Sequence, residues 1–165
     1  MLSQHDADTL LAIPKIARES IVYFYPSIGE LTEIPLVSPN NQETFIFSLR
    51  RGSIDIRKNT YQTRARRTIV LARLDIAGAP HCNPDGIDIP CPHIHLYRTG
   101  FDDKWAIPLP ELFRNHTDYW QLLHDFMLFC NIQAVDIRRD NRIWQPQTLP
   151  ISCTPIMTGC VTKPP

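Results

Sequence analysis

What most constrains this chain is a succession of short β-favouring runs joined by connections too brief for a crossover. Residues 45–49, 53–58 and 68–76 are rich in Ile, Phe, Leu and Val, and 93–97 and 104–109 continue the series. Strands that close together pair as hairpins, because a parallel crossover needs a dozen or more residues. The expected wiring is an antiparallel meander. Two helices frame it. Residues 6–18 read as a short helix disturbed by Pro14. Over residues 118–131, Tyr119, Leu122, Leu123, Phe126, Met127 and Cys130 recur at helical spacing, with Thr117 or Asn115 as the cap. The fold expected is α+β, an antiparallel four- to five-stranded sheet with an N-terminal helix and a C-terminal amphipathic helix packed on one face. Residues 21–25 read as a further strand, 30–43 with Pro35 and Pro39 as loop, and 60–67 as extended chain or loop.

A chain of 165 residues fits one domain, 1–165, able to bury roughly 70% of its unfolded surface. Residues 134–165 read as a Pro-rich C-terminal extension. The 17 basic and 17 acidic side chains balance, so no global field draws the chain to nucleic acid or membrane. Arg50, Arg51, Arg57, Lys58, Arg64, Arg66, Arg67 and Arg73 nevertheless crowd one segment, and a basic face is expected there. Apolar runs are too short to span a membrane. Five cysteines without regular spacing argue against a disulfide framework. A cytoplasmic protein with reduced thiols is the expectation.

Polar chemistry concentrates in residues 80–109, which hold His81, His93 and His95 together with Cys82 and Cys91. On a strand, His93, His95 and Tyr97 share one side, and the two imidazoles stand about 6.6 Å apart. Asn83, Pro84, Asp85 and Gly86 spell a type I turn that folds His81 and Cys82 back toward the histidine strand. Arg98, Lys104 and Trp105 follow, adding cations and a stacking surface.

Three functions compete for these residues. The leading one is a small nucleic-acid-directed enzyme, a metal-independent ribonuclease of toxin type. In it His93, His95 or His81 carry protons, Arg73, Arg98 and Lys104 stabilise phosphate charge, and no cofactor is needed. Tyr97 and Trp105 would stack a base, with Asp85, Asn83, Arg64, Arg66 and Arg67 lining the RNA path. The second is a zinc protein with a His-X-His site, using His93, His95 and one or two of Cys82, Cys91 and His81, although the spacing matches no zinc ribbon. The third is a non-enzymatic interaction or inhibitor protein of a phage or mobile element, directed at a host or phage system. Beside RNA, the partner expected is a protein such as an antitoxin or host factor. The bland alternative is that the histidines are satisfied core residues and the arginines a solvated sheet face.

The block APHCNPDG followed by PCPHIHLYRTGFDDKWAIPL resembles a family of small uncharacterised prokaryotic proteins of phage and mobile-element kind. That resemblance covers mainly residues 68–110. It implies a functional patch at His81, Asn83, Asp85, His93, His95, Arg98, Lys104 and Trp105, and implies no activity. A helix beside such a sheet is also similar, at the level of fold, to small ribonuclease toxins.

Overall fold

The computed structural model describes residues 2–139. In chain order the elements are α1 (Gln4–Ala12), β1 (Lys15–Ala17), β2 (Val22–Phe24), β3 (Leu31–Val37), β4 (Thr44–Arg51), β5 (Asn59–Ala65), β6 (Ile69–Asp75), β7 (His81–Cys82), β8 (Asp88–Ile89), β9 (His93–Arg98), β10 (Asp102–Pro108), α2 (Tyr119–Phe129), β11 (Ile132–Gln133) and β12 (Asp136–Arg138).

The expected four- to five-stranded antiparallel sheet is corrected. The described residues are mostly sheet, with eight strands in the order β10-β9-β6-β5-β4-β3-β1-β11, curled and mixed because β11 runs parallel to β1. Two further pairs stand apart: β12 parallel to β2, and the β7–β8 hairpin. The meander logic holds from β3 through β10, where neighbours pair antiparallel. It fails at the ends, where long-range pairing recruits two- and three-residue strands that carry no pattern of their own. Any likeness to small ribonuclease toxins rested on the smaller sheet and goes with it.

Two segments depart from expectation for local reasons. Residues 30–43 contain β3 despite Pro35. The Pro35 carbonyl accepts from Arg18 N–H on the β1 side, so the missing N–H points the same way and costs the β3–β4 ladder nothing. Residues 53–58 are turns rather than a strand. Gly52 N–H donates to the Lys58 carbonyl, and Asp55 Oδ1 accepts from Arg57 N–H, local bonds that outcompete a ladder. Ile54 is 99% exposed, so its alternation with Ile56 reported no buried face. Helix α1 ends at Ala12, before Pro14, rather than reaching residue 18.

The core follows strand alternation. Phe45, Phe47 and Leu49 of β4, Tyr61 and Ala65 of β5, Ala72 and Leu74 of β6 and Ile94 of β9 are all buried. Helix α2 lays Leu122, Leu123 and Phe126 into this face, with Phe126 stacked on Phe47 at 6.0 Å. Asp118, not Thr117 or Asn115, caps it by accepting from Trp120 and Gln121 N–H. Helix α1 packs against β6 and β9. Among the described residues no helix is long and apolar enough to cross a membrane. Of the C-terminal extension, 134–139 include β12; residues 140–165, with Cys153 and Cys160, lie outside the described residues.

Candidate metal centre

The opposite face of β6 and β9 carries the polar cluster. Register sets it: Asp75 on β6 lies beside His93 on β9, and Arg73 beside His95. Alternation along β9 puts both imidazoles on one side, as the sequence suggested. The rings stand 4.9 Å apart, centre to centre, with the His81 ring 4.4 Å from that of His95 and 5.9 Å from that of His93. His81 arrives on the β7–β8 hairpin. Its turn is the one expected, with Gly86 N–H donating to the Asn83 carbonyl and Gly86 at φ +84°.

His93 and His95 are not solvent-facing: they are 3% and 1% exposed. Each has its Nδ1 beside a backbone carbonyl, Pro90 at 3.3 Å and Asp103 at 2.9 Å respectively. Each turns its Nε2 toward Asp75 Oδ2, at 3.9 Å for His93 and 3.3 Å for His95. The His95 Nε2 is buried without a hydrogen-bond partner, because its approach to Oδ2 has the distance but not the angle of such a bond. One donor atom from each of Asp75, His93 and His95 lies within 4.8 Å of the others.

Elementary hydrogen-bond chemistry makes this arrangement informative. A neutral imidazole donates from one nitrogen and accepts at the other. His95 sits between two acceptors, so a neutral ring that donates to the Asp103 carbonyl leaves its Nε2 lone pair close beside a carboxylate, 3.3 Å from Oδ2. A cation at Nε2, either a proton or a metal, removes that conflict. Histidine ligands to metals characteristically give their other N–H to a carbonyl. Zinc bonds of 2.0–2.1 Å in tetrahedral geometry place neighbouring donors about 3.3 Å apart. His95 Nε2 meets that spacing to Asp75 Oδ2 at 3.3 Å, His93 Nε2 stands wider at 3.9 Å, and the whole set lies within 4.8 Å, so the rings must close in to hold an ion.

Electrostatics lean the same way. Burial pushes the Asp75 carboxyl up, but His95, the Arg73 guanidinium and the Thr60 hydroxyl together hold it at about 2. Burial, and then the neighbouring His95, lower His93, against the pull of Asp75. These directions favour an ionised Asp75 and a neutral His93, the forms in which each could serve as a ligand.

The other expected residues scatter. Arg73 reaches the cluster, but its guanidinium is shared between Asp75 (3.1 Å) and Asp103. Arg98 lies over the Trp105 ring at 3.8 Å, which covers the surface expected to stack a base. The Tyr97 hydroxyl is buried and donates to the Leu2 carbonyl. Lys104 is exposed and lends only its carbonyl, 2.9 Å from His81 Nε2. Asn83 gives both ends of its amide to Ala106 of β10, at 2.8 Å each, and Asp85 caps the exposed hairpin turn. Arg64 pairs with Glu33, and Arg66 with Glu43; Arg66 and Arg67 form the β5–β6 turn at positive φ. Arg64 aligns with Val70, five residues from Asp75 along β6, or about 16 Å. Arg73 therefore stands beside the histidines, while Arg64, Arg66 and Arg67 do not flank them. Of the cysteines, Cys91 Sγ approaches His93 on its Nδ1 side at 3.4 Å, away from the converging nitrogens, and Cys82 is exposed.

Asp75 and Asp103 were not singled out from sequence. Asp75 closes an otherwise apolar and basic run, and its one legible signal is that a carboxylate ends a strand expected beside the histidine strand. Neither the comparison with curated proteins nor that with solved structures finds a match. A family model does match residues 2–132, which takes in both strands of the cluster and the His81 hairpin. The chain belongs to DUF6978, a family of unknown function.

Proposed function

We propose that this chain is a metal-binding protein in which Asp75, His93 and His95 hold a divalent, zinc-type ion. The observation that carries this reading is His95, buried between the Asp103 carbonyl and the Asp75 carboxylate with its Nε2 unpartnered. Two imidazole nitrogens and a carboxylate oxygen suit zinc and its first-row neighbours better than magnesium or calcium, which prefer oxygen alone. Bound there, such an ion would supply Lewis acidity to any group that reached it. The protein's own part is to fix the donors, and Arg73, paired with Asp75, limits that carboxylate to one orientation.

Elemental analysis of protein purified without a histidine tag tests the reading. The expected result is near-stoichiometric zinc or a neighbouring metal in the wild type, and none in Asp75→Ala or His95→Ala. Metal-free wild type after purification in zinc-supplemented medium would end the proposal.

Metal-independent cleavage of RNA by His93 and His95 draws on the same side chains. It requires a phosphate to reach rings that are 3% and 1% exposed, so the metal reading takes precedence. RNA incubated with chelator-treated protein checks it, since cleavage that persists without metal would restore the acid/base assignment.

A further inference from the structure

His81 repeats the pattern of the two buried histidines. One of its nitrogens, Nε2, lies 2.9 Å from a backbone carbonyl, that of Lys104. Its Nδ1 makes no hydrogen bond among the described residues, and its ring is nearer to His95 than the His93 ring is, 4.4 against 4.9 Å. Three imidazoles thus gather, two of them at the Asp75 carboxylate and the third against their rings, each with one nitrogen beside a main-chain oxygen. His81 does not belong to the set lying within 4.8 Å, so its ring must shift inward to join.

The element that carries His81 is suited to such a shift. Strands β7 and β8 are two residues each and form a sheet of their own. They are fastened to β10 by side chains: His81 to the Lys104 carbonyl, and Asn83 to both polar groups of Ala106. Between these anchors and Ile89 the chain is exposed. Short strands with few backbone bonds open at low cost.

We propose that His81 is the fourth ligand of the metal, and that its coordination clamps the 81–89 hairpin onto the edge of the sheet. The inference rests on the metal reading above and adds a regulatory consequence: metal loading orders a surface hairpin. A site closed by four protein ligands has the character of a structural centre rather than an open catalytic one.

The test uses the full chain, stripped of metal and titrated with Co²⁺ as a spectroscopic stand-in for zinc, alongside hydrogen exchange over residues 81–89. Wild type should give the intense visible absorption of four-coordinate cobalt and slower exchange in the hairpin. His81→Ala should still take up Co²⁺, but on the order of 100-fold more weakly, with the pale spectrum of higher coordination and no metal effect on hairpin exchange. Asn83→Ala, which frees the hairpin without removing a ligand, should keep the four-coordinate spectrum. Unchanged affinity and spectrum in His81→Ala overturn the inference and leave the three-ligand site intact. Loss of the four-coordinate spectrum in Asn83→Ala as complete as in His81→Ala overturns the ligand assignment in favour of hairpin seating. Failure of wild type to bind Co²⁺ removes both.

Discussion

Lys15 shows how one side chain can join distant parts of a fold. It is fully buried, yet its ammonium donates to the carbonyls of Leu11, Ile13 and Cys130 at 2.8, 2.8 and 2.9 Å. Three donors meet three acceptors, at the C-terminal ends of both helices, where carbonyls lack intrahelical partners. Burial lowers its pKa from 10.5 to about 8, so between those values the unfolded chain holds a proton that the folded chain releases. Stability should therefore rise with pH across that window, by up to about 3 kcal/mol. Denaturant unfolding at pH 7.5 and 10 compares wild type with Lys15→Met. Identical slopes in the two proteins would show that Lys15 is not the titrating group. Nothing local marks this lysine as buried, since its partners come from both ends of the described chain.

Elements tell a similar story about what neighbours supply. The Asp118 carboxylate holds two of the free N–H groups that open α2, so Asp118→Ala should cost about 1 kcal/mol in unfolding free energy. A loss below about 0.3 kcal/mol would mean that water replaces the cap fully. At the sheet's β10 edge, Asn83 occupies the N–H and C=O of Ala106 as a neighbouring strand would, which shields an edge from pairing with another chain. In Asn83→Ala the Ala106 amide should exchange markedly faster than in wild type, read by hydrogen exchange. Runs of β-favouring residues made β4, β6, β9 and β10 legible, as helical spacing did α2, whereas the alternation over residues 53–58 marked a turn segment rather than a strand. Strands β1, β11 and β12 were not legible, for segments of two or three residues hold too few side chains to show a period.

For the molecule as a whole, a metal that binds only the folded state adds stability by mass action. Zinc at 100 times its dissociation constant should contribute about 2.7 kcal/mol, or about 5–10 °C in Tm for a chain of this size. Calorimetry with and without chelator measures it, and the shift should vanish in His95→Ala. A chelator-insensitive wild type would contradict the metal centre. The cluster joins β6 to β9 and, through the neighbouring His81, borders the β7–β8 hairpin, so its occupation bears on sheet and hairpin together.

By itself the sequence determined the β-favouring runs of β4, β6, β9 and β10, the amphipathic final helix, the turn at Asn83 to Gly86 and the shared face of His93 and His95. Each of these is a regularity within a few consecutive residues, where backbone geometry dictates side-chain direction. Only the tertiary structure decided that Asp75 stands beside His93, that Arg64, Arg66 and Arg67 lie away from the histidines while Arg73 stands beside them, and that Lys15 is interior. It also decided that eight strands, not five, share one sheet. Those outcomes depend on which strand lies next to which and in what register, and pairing between distant segments leaves no mark on either segment alone.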